Sequence, residues 1–317
     1  MVRTIISAVF ALFAVTAVVW AQTDSPNSPS PGRTPETVIV TGTKPSDTMD
    51  QIVSQFVDVH AATDRKTGQM VRDVDSGICP FTAGLPPALN AFVTARIVAV
   101  AKLSGARVQA AGSCRPNIEV LFSADPQALV DSLVTQTHGA ILGVHYVHET
   151  DRLSRMRRPI QSWYITATRR LSASSDSTST SQGTEASVGK YAPDDAYRVA
   201  PERHVLGSKL DSRIQSEIVN ALIVADTNRL AGHDIGPVAD YIAMLALSQP
   251  KDPDGCNDLP SILDLMSAGC GDRQKPKALT DSDMAYLKAL YAADLGAMRR
   301  QEEDSVTNGM KNNLAPH

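Results

Sequence analysis

The chain has 317 residues, a net charge of −4 and a pI near 6.0. Hydrophobic residues make up 43% and charged residues 20%, the mix of a globular chain rather than a disordered or fibrous one. No basic excess is present, which argues against a nucleic-acid partner.

Arg3 and the apolar run 5–19, broken only by Ser7 and Thr16, read as a secretory signal peptide over residues 1–21. Ala21 supplies a small residue at the cleavage position. The run is shorter than the roughly 20 residues that span a bilayer, and no basic stop-transfer cluster follows. Cleavage is therefore expected, with no membrane span afterwards and a periplasmic or secreted product. The four cysteines, Cys79, Cys114, Cys256 and Cys270, fit export as disulfides. Three connectivities are possible. Proximity in the chain favours Cys79 with Cys114 and Cys256 with Cys270. The rival reading, a metal site, lacks CxxC spacing.

Residues 22–45 read as a disordered linker, rich in Pro and Ser. Within it, Glu36 and the strand-like run 37–42 (TVIVTG) resemble the TonB box of outer-membrane receptors, which would imply a TonB-linked accessory role in a Gram-negative envelope. A single globular domain is expected over 46–298. Its first helix spans 47–60, with Met49, Ile52, Val53 and Phe56 on one face. A second spans 88–103, with Leu89, Phe92, Val93, Ile97 and Val100 as its apolar stripe and Gly105 as its stop. Residues 118–122 form a strand. Asp125 then caps a helix with Pro126 at its first position. Two strands are expected at 140–147 and 160–168, joined by a basic link with Arg152, Arg155, Arg157 and Arg158.

Residues 172–190 are low-complexity and read as a flexible surface loop. The nearly continuous apolar run 217–226 predicts a strand buried on both faces, followed by a helix over 235–247. Thr280 and Asp283 have capping-box spacing at the start of the last helix, whose buried stripe is Met284, Leu287, Leu290 and Tyr291. Residues 299–317 read as a polar, frayed tail. The fold class is α+β, a mixed sheet with helices.

The C-terminal order carries a resemblance. A buried strand leads into a helix, then a cysteine-closed loop with Pro260-Ser261-Ile262-Leu263-Asp264-Leu265-Met266, then a helix containing LTDSDMAYLKALY. This resembles zincin-type metalloproteases, particularly the metzincin-like branch, and secreted bacterial proteins that carry the same tail with a degenerate zinc motif. The resemblance implies a zincin-like C-terminal half, with the 235–247 helix in the place of the HExxH helix. That motif needs two His one turn apart to hold Zn²⁺ and a Glu to take a proton from the bound water. Here Ala239 and Ala243 stand at the His positions and Asp240 at the Glu. A one-residue slip puts Asp240 and Met244 at the ligand positions. Zinc hydrolysis at that place is not expected. Asp240 is the one catalytic candidate, as a general base; its plain role is to complement a helix dipole.

His145 and His148 form the only tight histidine cluster and are the metal candidates. On a strand they would point to opposite faces; on a helix they could share an ion. His204 and His233 have no ligand-spaced partner, and His138 ends a helix. GxSxG, GxGxxG and GxxxxGK[ST] are absent, so no cofactor is expected. Trp163 and Tyr164, adjacent on a strand after Arg157 and Arg158, are binding candidates, with one ring expected in the core and one exposed. The sequence thus points to a non-catalytic binding or envelope-accessory module taking a peptide or envelope protein at a sheet edge. The alternative is a metzincin-like hydrolase with ligands recruited from His145, His148, His204 or His233.

Overall fold

The computed structural model describes residues 45–63, 69–72, 77–110, 112, 114–143, 147–170, 214–256, 258–271, 275–294 and 299–315. The chain divides into two units, Met1–Gly42 and Thr43–His317, and every described residue belongs to the second. The expected signal peptide, the TonB-box-like segment and the 172–190 loop lie outside the described residues.

Four strands form one mixed sheet in the order β1-β2-β4-β3. The strands are β1 (Pro80–Ala83), β2 (Ile118–Ser123), β3 (Ile160–Arg170) and β4 (Ile214–Asp226). β1, β2 and β4 run parallel, and β3 returns antiparallel to β4. With its flanking helices, this is the α+β class expected. The first parallel crossover is made by α2 (Pro87–Ser104). Gly105 ends that helix in the left-handed conformation, φ 84°, where its amide reaches back to Lys102 O.

The sheet is covered on both faces. Ala221, Ile223 and Ala225 of β4 enter the larger core, while Leu222 and Val224 enter a second cluster on the other side. A strand buried on both faces gains no solvation from polar residues, so its sequence is apolar at successive positions. The larger core takes α1 (Pro45–His60), α2, α5 (Ile235–Leu247) and α6 (Asp281–Ala292). The smaller takes α3 (Pro126–Thr137), which Asp125 caps by accepting from the Ala128 amide at 3.1 Å.

Several expectations are corrected. The expected strand at 140–147 is not found in its described part, 140–143 and 147. Gly139 and Gly143, at φ 81° and 68°, bracket a 3-10 turn at Ala140–Leu142, and α4 (Val147–Leu153) follows. Two left-handed glycines four residues apart bend the chain away from extended geometry. The 299–317 tail is not frayed: α7 (Arg299–Leu314) packs on α6 and α1, with Glu302, Val306 and Met310 buried. The buried stripe of α2 is narrower than its apolar pattern. Val93, Ile97, Val100 and Ala101 are its buried face, whereas Leu89 and Phe92 are exposed; on α1, Met49 is exposed as well.

The two disulfides join Cys79 to Cys114 and Cys256 to Cys270, the pairing that chain proximity favours. They fit a chain that matures in an oxidising compartment. No described helix is long and apolar enough to cross a membrane.

Candidate functional site

α5 occupies the position that the resemblance assigns to a catalytic helix, and it is a core element. Every residue from Val238 to Leu247 is buried, between β4, α2 and a 3-10 turn at Ile262–Met266. Ala239 and Ala243 are wholly enclosed, with no side chain able to ligate an ion. Asp240 is committed elsewhere. Its Oδ1 accepts from Arg96 Nε, and its Oδ2 accepts from Arg96 Nη2 at 3.1 Å and the Leu279 amide at 2.8 Å. The guanidinium fork and the amide hold both oxygens, so this carboxylate ties α5 to α2 and to the segment before α6. These residues do not fit a zinc ion.

The metal candidates fall largely outside what the structure describes. His145 and His204 lie outside the described residues. The backbone of His148 is helical, in α4. His233 is exposed in the turn before α5, where its amide donates to Leu230 O. Among the described residues, no group of three or more His, Cys, Asp or Glu is placed to hold a metal ion.

Trp163 and Tyr164 project to opposite faces of β3, as alternation requires, but neither ring is exposed, because both faces of the sheet are covered. Trp163 is buried in the smaller cluster, and its Nε1 donates to Leu153 O at 2.8 Å. The half-buried Tyr164 donates its hydroxyl to Leu245 O of α5 at 2.8 Å. Arg158 Nε donates to both carboxylate oxygens of Asp254, at 2.7 and 2.9 Å, beside the Cys256–Cys270 loop. Arg157 is exposed; its amide donates to Gln161 and its carbonyl accepts from Arg229.

β1 and β3 are the two edge strands, and β3 is the longer, at 11 residues against 4. Among the described residues it pairs with β4 alone. Its outward groups follow from the register. The Ala221 amide is used by Asn117 O, and the Ile218 amide by Arg72 O, both on the far side of β4. Their partners on β3, Tyr164 and Thr166, therefore direct their own amide and carbonyl groups outward. Gly143 covers the Tyr164 carbonyl: a Cβ built there would lie 2.4 Å from that oxygen. A register shift between Ile165 and Thr166 follows, and beyond it the edge runs on to Arg170.

A buried polar cluster that no local pattern announces lies at the junction of α1, the disulfide loop and α6. His60 Nδ1 lies 2.8 Å from Phe56 O, and Nε2 lies 3.0 Å from Ser261 Oγ. Ser261 Oγ lies 2.7 Å from Asp283 Oδ1. These are the residue types of a hydrolytic triad in a different order, with the serine in the middle. All three side chains are enclosed, so no substrate reaches the hydroxyl. Burial lowers the His60 pKa to about 4 and raises that of Asp283. The contacts span 201 and 22 residues of chain, which local patterning does not reveal.

No family model, no curated protein and no solved structure matches the chain.

Two further surfaces stand out. α2 exposes Leu89 and Phe92 one turn apart, and Leu103 near its end, at 37%, 43% and 61%. A groove between α6 and α7 is lined by Asp281, Met284, Lys288 and Asn313.

Proposed function

We propose that this chain is a non-catalytic binding module of the bacterial envelope, periplasmic or secreted, on a zincin-like scaffold that has lost its metal site. It holds an extended peptide along the edge of β3 that faces away from β4. The observation that carries this reading is that β3, among the described residues, pairs on one side only, next to α5, to which Tyr164 ties it. An incoming strand would find backbone donors and acceptors already aligned from Thr166 onward, and main-chain hydrogen bonds would supply affinity. The burial of Ala239 and Ala243 and the engagement of Asp240 support a binding rather than a hydrolytic role, because α5 contributes packing where the resemblance would put chemistry.

The test uses linear peptides selected by phage display on the folded, exported chain. Thr166→Pro removes an outward amide at an edge position that tolerates proline. Selected peptides should bind this variant at least tenfold more weakly, with its thermal stability unchanged. Equal binding would reject the edge.

The exposed α2 residues favour a second reading, an envelope-protein partner that covers Leu89, Phe92 and Leu103. In that case Phe92→Glu would abolish partner binding while Thr166→Pro left it intact.

A further inference from the structure

The outer face of α2 is apolar in a pattern rather than at scattered points. Each residue turns an α-helix by about 100°, so Phe92 and Leu103 point within about 20° of each other and Leu89 lies about 60° to one side. All three are more than one-third exposed. The exposed Ala88 and Ala95 widen the stripe and put no polar group into it. Phe92 and Leu103 stand about 17 Å apart along the axis, so the stripe runs most of the length of the helix. The opposite side, with Val93, Ile97 and Val100, is buried in the core. A helix that is apolar on both sides leaves one of them to be covered from outside the core.

The charges around the stripe are of one sign. Residues 76–118 hold Arg96, Lys102, Arg107 and Arg115 and not one Asp or Glu, in a chain whose net charge is −4. Arg96 is taken by Asp240 of α5. Lys102 and Arg107 are exposed at the Leu103 end, one inside the helix and one just past Gly105. On the flank toward α5, Lys277 is exposed two residues before Leu279, whose amide shares Asp240 with Arg96. Area then decides between a protein and a lipid partner. The 18 residues of α2 make a face about 27 Å long and about 10 Å wide, which is about 270 Å². Each side of a stable protein interface contributes about 800 Å². A helix lying in a lipid surface needs far less, because a few large apolar side chains enter the acyl boundary while neighbouring cations meet phosphate.

We propose that α2 docks this chain on an anionic phospholipid surface. Leu89, Phe92 and Leu103 enter the boundary between headgroups and acyl chains, and Lys102, Arg107 and Lys277 pair with lipid phosphates. The anchors lie toward both ends of the stripe, so the helix axis runs along the surface and not through it. α2 packs on β1, at the edge of the sheet opposite β3. Lipid docking therefore needs no peptide on β3, and each of the two readings stands or fails by itself.

Co-sedimentation of the folded, exported chain with vesicles tests the docking. Vesicles of equal parts phosphatidylcholine and phosphatidylglycerol should carry the chain down, and vesicles of phosphatidylcholine alone should bind it at least about tenfold more weakly. Added salt should weaken the binding. Phe92→Glu should lower the partition coefficient at least about tenfold, and Lys102→Ala and Arg107→Ala about fivefold each. The substituted side chains are exposed, so the variants should keep the wild-type thermal melt. Should Phe92→Glu not fold, Leu103→Ser reads the other end of the same stripe. A wild-type chain that stays in the supernatant with the anionic vesicles overturns the proposal. So does vesicle binding that Phe92→Glu and Leu103→Ser leave intact. Loss of a protein partner on Phe92→Glu, with no vesicle binding by the wild type, assigns the face to that protein and overturns the lipid docking.

Discussion

Asp240 of α5 and Arg96 of α2 are joined through both carboxylate oxygens, and Asp240 is almost fully buried while Arg96 is about one-third exposed. The acid in the middle of α5 is thus a strut between two helices. Asp240→Ala strips the Leu279 amide and the guanidinium of their acceptor. It should lower the unfolding free energy by about 2 kcal/mol, the loss being tempered by the solvent that reaches Arg96. Urea denaturation measures this, and peptide binding by the folded fraction should be unchanged.

Gly143 should not tolerate a side chain. Its φ of 68° disfavours one, and a Cβ would meet the Tyr164 carbonyl at 2.4 Å. Gly143→Ala should destabilise by about 2–3 kcal/mol, visible as a drop in melting temperature. Gly105, also at positive φ but with open space around it, should cost about 1 kcal/mol when changed to Ala.

The disulfides should contribute unequally. Loop-closure entropy assigns about 3 kcal/mol to Cys256–Cys270, with a separation of 14 residues, and about 4 kcal/mol to Cys79–Cys114, with a separation of 35. Paired Cys→Ser variants, compared by urea midpoint, check the order.

Glu302 anchors α7. It accepts from the Met70 amide at 2.8 Å and pairs with buried Arg72, whose other branch donates to Ala293 O. Glu302→Ala leaves an uncompensated cation in the interior, and about 3–4 kcal/mol should be lost. Glu302→Gln should recover part of this, because it still accepts hydrogen bonds.

His60 should make the Asp283→Asn variant sensitive to acid. Its folded pKa is lowered to about 4 from 6.5, so its contribution is present above 6.5 and is lost as pH falls through about 4. About 3 kcal/mol should disappear over that window in the variant. In the wild type, Asp283 titrates in the opposite sense and flattens the fall where the two ranges overlap. Urea unfolding at pH 7 and pH 4 distinguishes the two profiles.

Local chemistry made much of the fold legible. Asp125 before Pro126, the apolar run of β4 and the Thr280–Asp283 capping box each act within a few residues, and each is found where the pattern puts it. The failures have physical causes. α7 reads as a tail because only its narrow Val306–Met310 face is buried, and the rest is solvated. The buried and exposed sides of α2 are both apolar, so periodicity could not separate Val93 and Ile97 from Leu89 and Phe92. The roles of Asp240, Glu302 and Asp283 depend on partners 144, 230 and 22 residues away, a distance over which no spacing rule operates.

The central claim is that the outer edge of β3 binds an extended peptide. Amide hydrogen exchange over β3, with and without a selected linear peptide, tests it most directly. The outward amide of Thr166 should gain protection when the peptide binds, while inward Trp163 changes little. Binding without added protection at Thr166, or with protection confined to α2, would contradict it.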